Sequence, residues 1–299
     1  MTFREWAAES KQRVRDEGWG GAKRAMYEFY VGMWRNVGKR YNYGTPIWES
    51  DWDICLVLDA CRWDLVPEVD RDYLTDDRAY SVASSSGEWI PKTFHGRDNS
   101  DVAYVTANPY SKMLLDETDF FSLDEVWEYG FDDDVRTIPA DVVTDQAIRA
   151  WEQGPEKMVV HYMQPHHPFV PKPMDEGLPR QDFDSQPWDN VWHKLRKGEV
   201  DRDEVWEGYV ANLDYVLDHV ETLLENTSGE VLITADHGNL LGEWGMYSHP
   251  DWVPLPSLKR VPWIKTQAQN TGDYEPEDHS IRSGESTDRS DQLEALGYK

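Results

Sequence analysis

The chain has 299 residues, 39% of them hydrophobic and fifteen of them tryptophan, which is enough material for one large α/β domain with a substantial core. Against 30 Lys and Arg stand 57 Asp and Glu, a formal net charge of -27, and such a surface repels nucleic acid and excludes the classes that bind it. Dense carboxylates fit a protein kept hydrated in very high salt, where ions screen repulsion within about 3 Å at 1 M.

Two cysteines, Cys55 and Cys61, make neither a metal framework nor a disulfide scaffold and fit a reducing compartment. No window approaches the eighteen or so apolar residues of a membrane span, and the N-terminus lacks the apolar core of a secretory signal. The expected location is cytoplasmic.

Residues 1–40 carry nine Lys or Arg and five Asp or Glu, so this segment is net +4 and the remainder is -31. Within it Ala22, Ala25, Met26, Phe29, Met33 and Val37 recur at helical spacing, with Tyr30 and Trp34 between them. Residues 1–50 therefore read as an amphipathic, basic helical segment. Two roles are open to it: packing on the body of its own domain, or peripheral contact with an anionic membrane surface or a partner.

From residue 51 strands alternate with helices. "ICLVL" (54–58), "DVAYVT" (101–106), "MVVHYM" (158–163) and "EVLIT" (230–234) are β-rich runs bounded by polar turns. Between the last two, apolar residues from Trp206 to Leu224 follow an amphipathic helix, with Asp214, Asp218 and Glu221 on its solvated face. The predicted class is α/β: a mostly parallel central sheet with helices on both faces. Residues 51–265 read as the catalytic domain, with 171–205 as an excursion from it. Residues 266–290 are poor in apolar side chains and read as a disordered acidic linker, and 291–299 as a short C-terminal docking segment.

Ligands of an open α/β sheet bind beyond the carboxyl ends of its strands. Here "ICLVL" runs into Asp59, "MVVHYM" into His166 and His167, and "EVLIT" into Asp236 and His237, with His249 following. Carboxylates and imidazoles converging on one sheet edge point to a divalent metal, the direct source of positive charge for an acidic protein acting on an anionic ester. The cluster Ser84, Ser85 and Ser86 precedes Gly87 and a helical pattern. A serine there meets free backbone N–H groups and the positive end of the helix dipole, which suit a nucleophile. The same cluster reads equally as a cap, with Ser85 and Glu88 at capping-box spacing.

The segments "VLDACRWD", "SSSGEW", "PHHPF" and "ITADHGNLLGE", in this order, resemble the alkaline phosphatase superfamily, above all its sulfatase-like branch with the phosphoglycerol and phosphoethanolamine transferases. The resemblance spans roughly residues 52–255, and "LEALGY" near the terminus is similar to the ending of many sulfatase-type chains. It implies an alkaline phosphatase-like fold in which Asp59, Asp236 and His237 bind one divalent ion, Zn or Mn, with the oxygen of Ser86 in the remaining position. Ser86 is then the nucleophile, with Ser84 and Ser85 as substitutes. His166 would hydrogen-bond the substrate oxyanion or protonate the leaving group, and His249 would bind a second ion or act as general acid.

The chain departs from the pattern twice. No Cys or Ser is followed by x-Pro-x-Arg, as a formylglycine sulfatase requires, and the further Asp-x-x-x-His set of two-metal members is not found. Lys92, Arg62 and Arg97 are candidate anion contacts. The implied activity is a metal-dependent phosphoric (or sulfuric) ester hydrolase or phospho-group transferase, acting on an anionic ester of a glycan, a lipid head group or glycerol. The alternative is a catalytically degenerate sulfatase-like protein serving as a binding or assembly factor.

Overall fold

Strand β1 (Ile54–Leu58) is buried along its whole length, and its alternate residues enter two different cores. Ile54, Leu56 and Leu58 face one side while Cys55 and Val57 face the other, the period-two geometry of a central strand covered on both faces. A one-residue slip would exchange these two sets, so burial fixes the register. The computed structural model describes residues 3–174 and 191–279.

Flanking β1 are β3 (Asn99–Thr106), β4 (Phe120–Glu125), β5 (Lys157–Tyr162), β6 (Gly229–Thr234) and β10 (Ile264–Ala268), in the order β10-β6-β1-β5-β3-β4. All pairings are parallel except that of β10, which runs antiparallel along the edge of β6. Parallel neighbours require crossovers, and the helices supply them. Helices α5 (Ala140–Trp151) and α7 (Arg202–Asn226) cover the face of Leu56, and α3 (Ser86–Phe94) covers the face of Val57 through Trp89, Ile90 and Phe94. Each fully buried Leu, Ile or Phe here contributes about 1.5–3 kcal/mol. The fold is α/β with a mostly parallel sheet, as read from the alternation of strands and helices.

The acidic face of α7 is solvated, with Arg71 bridging Asp214, Asp218 and Glu221 at 2.9, 2.6 and 2.8 Å. Smaller pieces complete the body: α4 (Ser111–Leu114), α6 (Val191–Lys197), α8 (Pro256–Lys259), and two short antiparallel pairs. These pairs are β2 (Arg78–Tyr80) with β9 (Arg260–Pro262), and β7 (Leu240–Leu241) with β8 (Tyr247–Ser248). Val191 and Trp192 of α6 are buried, so this part of the expected excursion packs into the core; residues 175–190 lie outside the described residues.

The basic N-terminal segment is two helices, α1 (Phe3–Glu17) and α2 (Trp19–Arg40), broken at Gly18, whose φ of 60° suits glycine. Tyr27, Tyr30 and Trp34 of α2 pack on a core of Leu240, Met246, Val253 and Leu258, whereas Met26, Phe29, Met33 and Val37 are exposed. The apolar spacing falls on α2, one side of which packs on the body while another is exposed. Among the described residues no helix is long and apolar enough to cross a membrane.

The stretch expected to start a disordered linker belongs to the fold as far as residue 279. Thr266 to Ala268 pair with β6, and the amides of Gln269 and Thr271 donate to the carbonyls of Leu224 and Glu225, both at 2.9 Å. Beyond them the Tyr274 hydroxyl and His279 Nε2 reach the two oxygens of buried Asp145 at 2.7 and 2.6 Å. Hydrogen bonds hold this segment, so its low apolar content misled. Residues 280–299, including 291–299, lie outside the described residues.

Candidate metal centre

Four strands deliver polar side chains to one edge of the sheet. Asp59 follows β1, Asn108 follows β3, His166 follows β5, and Asp236 and His237 follow β6. Asp59, Asp236 and His237 are fully buried. Ala60 turns the chain after Asp59 with a φ of 60°, and its amide then donates to Asp236 Oδ1 at 3.0 Å. The amide of His237 donates to the same oxygen at 2.9 Å. Two backbone donors therefore occupy one carboxylate oxygen and leave Oδ2 facing the cleft. The Tyr209 hydroxyl donates to the Ala60 carbonyl and braces this uncommon backbone position.

The three serines separate by partner. Ser84 donates to Glu88 Oε2 at 2.9 Å, and its amide reaches the same oxygen at 3.1 Å. Ser85, the N-cap residue, makes no capping bond and donates instead to Asp251 Oδ1 at 2.6 Å. The expected capping pair of Ser85 with Glu88 is thus shifted by one residue, because Ser84 is the serine whose hydroxyl and amide both meet Glu88. Ser86, first residue of α3, points its hydroxyl at Asp236 Oδ2 (2.7 Å), with His237 Nε2 at 3.3 Å and Asp59 Oδ2 at 3.4 Å.

These groups fit a divalent cation. His237 Nδ1 donates to the Gly238 carbonyl at 2.8 Å, which fixes the ring with Nε2 turned toward the carboxylates. That nitrogen lies 3.3 Å from Asp236 Oδ2 and 3.8 Å from Asp59 Oδ1. Donors held at about 2.0–2.2 Å around a tetrahedral ion stand roughly 3.3–3.6 Å from each other, close to the spacings here. Lone pairs and carboxylates collected this tightly out of water repel one another unless positive charge sits among them.

A further histidine lies beneath them. Asp59, His161 and Asp236 offer ligand atoms all within 4.8 Å of one another, and all three residues are buried. His161 Nε2 stands 3.6 Å from an oxygen of each aspartate and has no hydrogen-bond partner among the described residues, while Nδ1 meets the Tyr104 hydroxyl at 2.9 Å. Burial opposes charge on His161, but Tyr104 and the two carboxylates outweigh it and raise its pKa well above the ordinary imidazole value. Burial likewise opposes charge on Asp236, and His237 and His161 overcome it, lowering the Asp236 pKa.

Sequence reasoning missed His161 and Asn108. Asn108 Nδ2 donates to Asp59 Oδ2 at 2.7 Å, and its signal was the strand-edge rule applied to a fourth strand. His161 sits inside β5 on the Trp89 side, one residue out of phase with Val160 and Tyr162. Parity along the strand was the only available signal.

His166 and His249 border the cluster. His166 Nδ1 donates to the His167 carbonyl at 2.5 Å, and its Nε2 lies 3.1 Å from His249 Nε2. The His249 ring stacks on His237 at 4.6 Å between centroids. Burial, then His237 and His166, lowers the His249 pKa well below its usual value; burial also lowers that of His166.

The three basic residues read as anion contacts are engaged elsewhere. Arg62 is buried, paired with Asp64 and Glu243 at 2.6 Å each, and donates to the Asn239 carbonyl at 2.9 Å, bracing the turn after β6. Lys92 is bound by Glu88 and stacks over Trp252, and Arg97 lies over Trp48 and bonds Asn99. Arg62 is buried in these contacts, whereas Lys92 and Arg97 are part-buried.

No family model and no curated protein sequence matches the chain. Solved structures do. The integral membrane lipooligosaccharide phosphoethanolamine transferase A of Neisseria meningitidis matches with a TM-score of 0.50 at 13% identity, over 90% of this chain and 59% of that one. Its soluble domain matches with a TM-score of 0.46 at 12% identity, over 82% and 86%. The periplasmic domain of EptC from Escherichia coli, in complex with Zn, matches with a TM-score of 0.46 at 10% identity, over 85% and 83%. These likenesses are of fold: a mostly parallel six-stranded sheet between helices, similar to that of the integral membrane phosphoethanolamine transferase.

Proposed function

We propose that the chain is a metal-dependent hydrolase of phosphoric (or sulfuric) esters, or a phospho-group transferase, with Ser86 as its nucleophile. The observation that carries this reading is the convergence of Asp59, Asp236 and His237 on the Ser86 hydroxyl at the first turn of α3. Asp59, Asp236 and His237 would hold a divalent ion, and a mixed oxygen and nitrogen donor set suits Zn or Mn. When bound, such an ion supplies positive charge that lowers a hydroxyl pKa and neutralises an ester oxyanion.

The chain's own groups do the rest. Asp236 Oδ2 accepts the Ser86 hydroxyl hydrogen and so aims an oxygen lone pair into the cleft. Free amides at the start of α3 face the incoming ester and stabilise charge on its non-bridging oxygens. With the Ser86 proton given up to solvent, attack forms the bond from Ser86 Oγ to phosphorus as the bond to the leaving alcohol breaks, and the departing oxygen takes a proton from the His166 and His249 pair once that pair has been protonated. Water or an acceptor alcohol then releases the phospho-serine by the reverse path. The acceptor that reaches the cleft decides between hydrolysis and transfer. The convergence of Asp59, Asp236 and His237 on Ser86 supports this reading over that of a catalytically degenerate binding factor.

The test is elemental analysis of the purified protein joined to turnover of a 4-nitrophenyl phosphodiester. Chelation should abolish turnover, and Zn²⁺ or Mn²⁺ should restore it. Turnover that survives exhaustive metal removal refutes the proposal, and a correctly folded protein that neither binds metal nor turns over any ester selects the degenerate reading.

A further inference from the structure

We propose that the exposed stripe of α2 is a docking surface for an anionic lipid bilayer. The two other sides of this 22-residue helix are already used. Toward α1, a Cβ on Gly21 would meet the Arg13 carbonyl oxygen at 2.5 Å, and Phe29 lies 5.6 Å from Trp6 between ring centroids. Toward the body, Val31 is buried and Gly38 lies against the Trp252 backbone. What remains is a line of Trp19, Met26, Met33 and Val37, which are 72%, 68%, 53% and 42% exposed. Their spacing places them on one side of a helix, and exposed Lys23 and Arg40 flank them. Tyr41, 71% exposed, follows the end of the helix, so an aromatic residue stands at each end of the stripe.

Charge selects the occupant. The first forty residues are net +4 and the rest of the chain is -31, so a second copy docking here would bring two strongly acidic bodies together. An anionic bilayer attracts the basic hairpin and repels the body, which fixes the orientation as well as the contact. Apolar residues with Trp and Tyr at the margins and basic residues beside them are the chemistry that settles in a lipid interface.

The side of α2 that faces the body, next to the stripe, supports the loop that carries His249. The Tyr30 hydroxyl donates to the Trp244 carbonyl at 3.1 Å, Trp34 lies edge-on to Trp244 at 5.6 Å, and Arg35 reaches Asp251 at 3.9 Å. Docking through the stripe would hold this loop within about one helix diameter, roughly 10 Å, of the lipid surface. The inference rests on the helix alone and stands whether or not Ser86 is a nucleophile.

The test is co-sedimentation of the full chain with vesicles of phosphatidylglycerol and phosphatidylcholine, or of phosphatidylcholine alone, from 0.2 to 2 M KCl, with circular dichroism confirming the fold throughout. Binding to the anionic vesicles should be at least tenfold tighter than to the neutral ones and should weaken as salt rises. The variant Trp19→Ser/Met26→Ser/Met33→Ser should lose at least tenfold in binding with its spectrum unchanged. Cys55 and Cys61 are fully buried, so Met26→Cys can be labelled selectively with an environment-sensitive dye. Its emission should shift to the blue on anionic vesicles, whereas a label at exposed Ser100→Cys should not respond. Absence of binding, or equal binding by the triple variant, overturns the proposal. So does light scattering that finds a dimer which the triple variant converts to monomer, since the stripe then belongs to a second copy.

Discussion

His166 Nε2 and His249 Nε2 stand 3.1 Å apart, close enough for one ring to donate a hydrogen bond to the other. The assignment follows from the other ring nitrogens. His166 gives its Nδ1 hydrogen to the His167 carbonyl, so neutral His166 has a lone pair at Nε2, and the hydrogen between the rings belongs to His249. Burial keeps both imidazoles below their usual pKa, so near pH 7 the pair is neutral and must take up a proton before it can give one to a leaving group.

This pair should act on the leaving group. His249→Gln should reduce turnover of an alkyl phosphodiester by about 10²–10⁴-fold, the ordinary worth of a positioned acid. Turnover of a 4-nitrophenyl ester, whose leaving group needs no proton, should fall far less. Steady-state rates across a leaving-group series check this; equal losses along the series would remove His249 from proton transfer.

Ser86 and its neighbour should behave differently although they are adjacent. Ser86→Ala should eliminate the phospho-enzyme trapped by acid quench from a labelled diester. Ser85→Ala breaks the bond to Asp251 at 2.6 Å and should retain the label. Labelling of Ser86→Ala at the wild-type level would place the nucleophile elsewhere in the cluster.

Tyr104 should influence the metal without touching it. Its hydroxyl meets His161 Nδ1 at 2.9 Å, and His161 presents Nε2 to both aspartates. Losing a partner of this kind commonly costs 10–100-fold in metal affinity. Tyr104→Phe should therefore bind Zn²⁺ more weakly by that order in competition with a chromophoric chelator, with its thermal unfolding in chelator unchanged. Unaltered affinity would reduce His161 to a packing residue.

Legibility followed position along the elements. Asp59, Asp236, His237 and Ser86 were readable because each stands where a strand ends or a helix begins, where polar residues have no packing reason to gather. His161 was not, because within "MVVHYM" it reads as one more core position, and only the register against Val57 and Thr106 sets it under the ligands. Arg62 was misread because a guanidinium that braces a loop and one that grips an anion are the same letter. The tail from Gln269 to His279 was misread because hydrogen bonds, not apolar burial, hold it. On α2, spacing marked an amphipathic helix, but only the packed structure separates covered Tyr27 and Trp34 from exposed Met26 and Met33.

Acid should destabilise the fold through His167. Burial, then the proximity of His166, Arg136 and Lys194, lowers its pKa to about 3, whereas in the unfolded chain an imidazole titrates near about 6.5. As pH falls through that unfolded value, the unfolded chain takes up a proton that the folded chain refuses until about pH 3, so stability is greatest above the window and is lost on acidification. The loss from one such group is at most about 1.4 kcal/mol per pH unit. His166 and His249 add the same sign, and His161, whose pKa is raised, adds the opposite one, favouring the fold at low pH and losing that contribution as pH rises through its folded value. Urea unfolding of metal-free protein at pH 7.5 and 5.0, repeated on His167→Gln, reports His167 and its coupling to His166, because groups that do not interact with His167 cancel in the comparison. The wild type should lose about 1–2 kcal/mol more than the variant over that interval; identical losses would mean that folded His167 accepts its proton as readily as the unfolded chain does.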